Sequence, residues 1–260
     1  MTEVTLHRGK TQARPGAVSF MLRDYLNETR LPDVPHVFGH VHASPVQGWG
    51  MFGNELAGDC VCAGAEHESM VWAMATKRTV PNYDDRVSLK NYSDMMVDAG
   101  GAPYNPHDPS TDTGLDMQRA AAYRQKTGVL DLAGNRHFIK AYAAVSIDDA
   151  PLAAYLFGVC GVGLALPDSA EQQFIRYHIW DDVTSTPQPQ NGHYVPIVGR
   201  NSLGNFMVIT WSRLHAMTPE YFARYYDEAV AYFSMEYLVA TGKSPEAIDE
   251  AALEADLAAL

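Results

Sequence analysis

The stretch Gly53-Asn54-Glu55-Leu56-Ala57-Gly58-Asp59-Cys60-Val61-Cys62-Ala63 decides how this chain is read. A polar, glycine-bounded loop runs into Asp59. From Cys60 to about Lys77 no proline interrupts an apolar pattern carried by Ala63, Ala65, Met70, Val71 and Met74, so a helix is predicted to open at Cys60. A thiol there sits in the positive end of the helix dipole, beside N–H groups without intrahelical partners, and both effects favour the nucleophilic thiolate. Asn54 precedes it in a loop that must fold back beside the helix start. Its amide and the Cys60 N–H are candidate donors to a developing oxyanion.

A thiol nucleophile needs a base. Asn191-Gly192-His193-Tyr194-Val195-Pro196-Ile197-Val198-Gly199 offers one, a histidine after glycine at the start of an apolar strand. Tyr194–Val198 and Phe206–Thr210, joined by a turn with Asn201, Ser202 and Gly204, read as an antiparallel hairpin. Working outward, the pattern predicts helices over Asn91–Asp98 and Leu115–Thr127, the latter stopped by Gly128, with a loop from Gly100 to Gly114 between them. It predicts a strand over Phe138–Ile147. A helix is expected from Pro219 to about Ala240, capped by Thr218, and another after Ser244-Pro245-Glu246. Ala150–Pro167 is uncharged and apolar enough to suggest a membrane span. Its glycines instead divide it into a helix at Leu152–Phe157, a turn at Gly158–Gly161 and a strand at Val162–Leu166. Helices first and an antiparallel sheet later give an α+β class, the helical part carrying the cysteine and the sheet carrying the histidine. The division is an extended N-terminal arm over 1–48 with one short helix near Val18–Tyr25, a domain over 49–240 and a C-terminal helix over 241–260.

These residues resemble the papain-like cysteine peptidase fold. The shared pattern is an amide residue, five residues, a cysteine at a helix start, then a distant Gly-His before a hairpin. The resemblance spans roughly 48–235. It implies Cys60 as nucleophile, His193 as base and Asn54 in the place of the family's oxyanion glutamine. The family's His-orienting Asn or Asp falls on Thr210 or Trp211. Thr210 could accept from the imidazole N–H, whereas Trp211 could only shield it. Asp59 puts a carboxylate beside the thiol, which opposes ionisation unless the side chain turns away or caps the helix. More narrowly, Trp49-Gly50-Met51, Gly53-Asn54, Gly58-Asp59-Cys60, His67, Trp180-Asp181, Gly192-His193 and Thr210-Trp211 look like a group of papain-like proteins from actinobacterial and phage genomes.

The chain has 260 residues and a formal charge of −12. That balance argues against a phosphate-backbone binder and a polybasic membrane anchor, so neither nucleic acid nor membrane is an expected partner. Three cysteines, an odd number, suggest free thiols and a reducing, cytoplasmic compartment, or a virion if the gene is viral. Cys62 and Cys160 read as core. A Cys60–Cys62 metal pair lacks a second pair of ligands, and His36, His40 and His42 are only loosely spaced. No metal or cofactor is expected. The oxygen-rich Asn105–Asp112 reads as turn chemistry, and His67, two helical turns after Cys60, as a buried structural histidine. Two functions follow. The first is a thiol hydrolase on a peptide or isopeptide-like amide. The second is a structural or virion-associated protein reusing the scaffold, meeting neighbouring subunits through the arm and the C-terminal helix.

Overall fold

The computed structural model describes residues 5–14, 20–39, 45–234, 237–238 and 248–258. Seven α-helices are described: α1 (Cys60–Ala75), α2 (Asp85–Asp98), α3 (Met117–Lys126), α4 (Ala150–Phe157), α5 (Ser169–Ile175), α6 (Pro219–Tyr225) and α7 (Glu250–Ala258). The strands are β1 (Phe38–Gly39), β2 (Val129–Leu130), β3 (Arg136–His137), β4 (Ala141–Ala144), β5 (Cys160–Ala165), β6 (Gly192–Arg200), β7 (Phe206–Thr210), β8 (Arg213–Met217) and β9 (Tyr226–Phe233). The main sheet has the order β4-β9-β5-β6-β7-β8, every neighbour antiparallel, with β1 added on β6; β2 and β3 form a separate ribbon.

Helix α1 is buried along nearly its whole length, which suits a helix apolar on every side and central to the core. Its polar residues are partnered. Glu66 accepts from Ser88 and from Asn91 Nδ2 at 2.9 Å, and Arg124 Nη2 lies 2.6 Å from Glu68. The helix lies directly on β6. A Cβ at Gly64 would meet the Tyr194 ring at 2.2 Å. A mid-helix glycine costs about 1 kcal/mol of helix propensity, and here it lets a tyrosine ring rest on the helix one turn beyond Cys60. That close approach brings the start of α1 to the start of β6, where His193 stands.

The apolar run 150–167 is α4, a left-handed Gly158 (φ 79°) and β5, so no membrane span exists there. The described helices include none long and apolar enough to cross a membrane. Two readings from sequence are corrected. Helix α2 starts at Asp85 and not at Asn91, because the Asp84 side chain caps it by accepting from the Val87 N–H at 2.9 Å. The helix expected over 219–240 ends at Tyr225, and Tyr226–Phe233 is a strand between β4 and β5. Its aromatic and β-branched residues suit a pleated surface. Pairing on both sides satisfies its backbone groups, a tertiary gain that local helix signals do not register.

At the start of the chain, Leu22–Tyr25 is a short 3₁₀ turn, while 18 and 19 lie outside the described residues. Of the C-terminal helix, Glu250–Ala258 is described. It docks on this chain: Tyr25 donates to Asp256 at 2.7 Å and Ile248 bridges Leu26.

Candidate active site

Cys60 is the first residue of α1 and His193 the second of β6, and both are buried, at 2% and 1% exposure. With Asn54, His67, Thr210 and Trp211 they line one small cavity, so the structure gathers all four sequence-nominated site residues. The Tyr194 N–H, next to the histidine, donates to the Cys60 sulfur at 3.4 Å. His193 Nε2 pairs with Thr210 Oγ1 at 2.8 Å, and Nδ1 has no hydrogen-bond partner among the described residues. Asn54 Nδ2 donates to the Ala57 carbonyl at 3.2 Å, bracing the loop that leads into α1.

The alternatives left open for position 210 or 211 both find a place. Thr210 makes the bond to the imidazole, and Trp211 stacks on the His193 ring, with centroids 4.5 Å apart. Trp211 and Ser212 form the two-residue turn between β7 and β8, with φ of 43° and 70°. Such turns favour positive φ at both central residues, a conformation that is strained for tryptophan. The backbone is thus bent to lay an indole over the histidine. Trp180 meets Trp211 edge to face at 5.8 Å and extends the aromatic wall. His67 donates through Nε2–H to the Trp49 carbonyl, 2.7 Å away, and burial pushes it down to about 4.

The cavity is closed, at about 10 Å³, space for one water at most. The chain's own beginning lies across it, with the Gly9 and Lys10 amides directed at the Cys60 sulfur. Residues 7–14 run along the cleft as a segment with one isolated bridge, Lys10 to Leu115. Trp211 Nε1 donates to the His7 carbonyl at 3.2 Å, and the His7 N–H to the Asn54 carbonyl at 3.0 Å. The Leu115 N–H donates to Gly9 O at 2.7 Å, the Thr11 N–H to Leu115 O at 2.9 Å and the Lys10 N–H to Gly192 O at 3.1 Å. Gly9 passes so close to Gly58 that a Cβ on it would lie 1.7 Å from the Gly58 carbonyl oxygen. Outside this segment an open cleft of about 560 Å³ remains, bordered by Thr11, Gln12, Asp112 and Gln190.

Enclosure sets the protonation states. Burial pushes the Cys60 thiol up to about 11, against the pull of the Tyr194, Gly9 and Lys10 amides. Burial, with the Arg8 charge second, pushes His193 down to about 3. The thiolate expected from the helix dipole is therefore absent in this closed form, and thiol and imidazole are both neutral near pH 7. Desolvation under the strand outweighs the dipole. Asp59 does not cap α1 with its side chain. Burial, with Glu66 second, pushes its carboxyl well up, and Asp59 itself adds to the upward push on the Cys60 thiol.

Sequence reasoning left open whether the arm folds over the cleft, and named neither residues 7–14 nor Asp227 and Glu228, which hold Lys10. A hidden signal was Gly9 itself, a glycine in an otherwise polar stretch. Cys62 and Cys160 are buried free thiols, as core cysteines should be. His36 reaches the Ser202 carbonyl at 3.1 Å, and His40 and His42 lie outside the described residues.

No protein-family model matches the chain, and no curated protein matches it in sequence. Solved structures do match. Xylellain, a cysteine protease from Xylella fastidiosa, aligns with a TM-score of 0.61 at 12% identity, covering 90% of this chain and 100% of that one. Digestive procathepsin L 3 of Tenebrio molitor larval midgut aligns at 0.56 and 11%, covering 88% and 76%. The ragweed pollen allergen Amb a 11, a cysteine protease in its proform, aligns at 0.54 and 15%, covering 89% and 73%. With a buried helix and an antiparallel sheet meeting at Cys60 and His193, the chain has the papain-like cysteine protease fold.

Proposed function

We propose that the protein is a thiol hydrolase, a cysteine peptidase or amidase acting on a peptide or isopeptide-like amide. One observation carries the reading. A cysteine at a helix start and a histidine with a free Nδ1 share a cavity, and the other ring nitrogen is held by Thr210 at 2.8 Å. With Nε2–H donating to Thr210 Oγ1, Nδ1 is the bare nitrogen that takes the Cys60 proton as the sulfur attacks the substrate carbonyl carbon. The carbonyl oxygen becomes an oxyanion held by the Cys60 N–H and the Asn54 amide. The C–N bond then breaks, and the imidazolium returns its proton to the departing amine. Water, deprotonated by His193, attacks the thioester and releases the acid, restoring the thiol. Residues 7–14 must leave the cleft before this cycle, and opening it rehydrates the neutral pair.

The experiment is hydrolysis of a fluorogenic peptide library by the full chain carrying Gly9→Val, which removes the strand's fit. Turnover is expected, and Cys60→Ala and His193→Ala each abolish it. No turnover by a chain with an accessible Cys60 overturns the reading. A second reading, a non-catalytic papain-like scaffold, draws support from the filled cleft. It expects Cys60 to stay shielded in every variant that folds.

A further inference from the structure

Gly9 and Lys10 cross the nucleophile, their amides directed at the Cys60 sulfur, and the Lys10 side chain continues past it. Its ammonium is fully buried, paired with Asp227 and with Glu228 Oε1 at 2.8 Å, and it donates to the Thr11 carbonyl at 2.8 Å. The side chain reaches these carboxylates along a channel floored by Gly163 of β5, where a Cβ would lie 2.0 Å from Lys10 Cε. Gly163 pairs with Glu228 on one side and Tyr194 on the other, so the channel opens beside the strand that carries His193. Burying an ammonium is unfavourable unless it is paired and hydrogen-bonded. Here two carboxylates and a carbonyl meet it.

Glu228 is only 12% exposed and Asp227 20%. Gln118 Nε2 braces Glu228 Oε2 at 3.2 Å, and the Ala13 N–H donates to Asp227 Oδ2 at 3.1 Å. Neither neutralises a charge. With an apolar side chain in the channel, two adjacent carboxylates stay half-desolvated without a counter-ion, and an acidic one adds repulsion. The strand bonds to Leu115 and Gly192 through its backbone, which an extended peptide with glycine opposite Gly58 can reproduce. Two side chains of the segment are held by charge, Arg8 by the half-exposed Glu171 at 2.9 Å and Lys10 in the buried channel, and the buried pair discriminates more strongly.

Building on the hydrolase reading, we infer that Asp227 and Glu228 are specificity residues that draw a lysine side chain into the Gly163 channel, so the substrates are lysine-bearing peptides that take the place of residues 7–14.

The test uses the full chain with Cys60→Ser, so that binding is read without chemistry. The strand is displaced in two independent ways, by Gly9→Val and by Lys10→Glu, and displacement is read as tryptic cleavage after Arg8. A labelled acetyl-Leu-His-Arg-Gly-Lys-Thr-Gln-Ala amide is titrated, alongside the same peptide with norleucine or glutamate in place of lysine. The lysine peptide is expected to bind roughly 100- to 4000-fold tighter than the norleucine peptide, the range that breaking a buried charge pair gives. Asp227→Asn with Glu228→Gln should erase the difference while leaving norleucine binding in place. Gly163→Leu, which narrows the channel without touching charge, should weaken lysine binding. Equal binding of the lysine and norleucine peptides overturns the inference. So does a strand that neither variant displaces, since the channel is then part of the fold. Lysine-selective binding with no turnover in the Cys60 chain refutes the hydrolase and keeps the pocket; turnover without lysine preference does the reverse.

Discussion

Gly9→Val is the perturbation that reports most directly on the closed site. The added Cβ falls 1.7 Å from the Gly58 carbonyl oxygen and 2.2 Å from its carbon. Both are backbone atoms of the loop entering α1, which cannot turn aside as a side chain can, so residues 7–14 lift. In the closed form the Cys60 thiol stands at about 11. At pH 7.5 that leaves about one thiolate in three thousand, against about one in ten for a thiol at its ordinary ~8.5. Ionisation alone thus slows alkylation roughly 300-fold, and steric cover adds to it. The assay is iodoacetamide labelling of native protein from pH 6 to 10, with Cys60 resolved from Cys62 and Cys160 by peptide mapping. The wild-type chain should label at least a hundredfold more slowly than Gly9→Val at pH 7.5. The variant's inflection should also fall well below the wild-type value. Native wild-type Cys60 labelling at the rate of a free thiol would refute the reasoning. So would a variant whose residues 7–14 are open to trypsin while Cys60 stays unreactive.

Other outcomes follow from the same contacts. Gly64→Ala puts a methyl 2.2 Å from the Tyr194 ring, and chemical denaturation should show a loss of about 1–3 kcal/mol despite the better helix former. Arg124→Met leaves Glu68, fully buried in α1, without its cation, and should cost about 3–5 kcal/mol; adding Glu68→Leu should recover much of it. His67 stands at about 4 when folded, below its ordinary value, so its contribution is whole above pH 6.5 and is lost as pH falls toward 4. Relative to His67→Gln, the wild-type chain should lose about 3 kcal/mol across that window, measured by denaturation at pH 7.5 and 4. On the hydrolase reading, Thr210→Val in the opened chain removes the partner of His193 Nε2 and should lower kcat about three- to tenfold. An unchanged kcat would separate Thr210 from the chemistry.

Much of this was legible in order and spacing. Gly58-Asp59-Cys60 before an uninterrupted apolar run marks a helix start, and Gly192-His193 before a hairpin marks a strand start, because caps, glycines and periodicity are local properties. The run 150–167 could be divided for the same reason. Residues 226–233 could not be assigned, since a Thr-Pro-Glu start announces a helix, and only two waiting strand edges end it at Tyr225. The placement of Asn54, Cys60, His193 and Thr210 around one cavity needed the Gly64–Tyr194 contact, a packing fact between residues far apart in sequence.

Local chain chemistry was enough to put a cysteine at the opening of a buried helix and a histidine at the opening of an antiparallel strand. Their protonation was decided only by tertiary structure. A thiol at a helix N-terminus favours the anion while water is present, and the strand through Gly9 and Lys10 excludes water. Burial then outweighs the dipole and holds both groups neutral. Lys10, Asp227 and Glu228 likewise became one ion-paired channel only when the fold brought the two ends of the chain together.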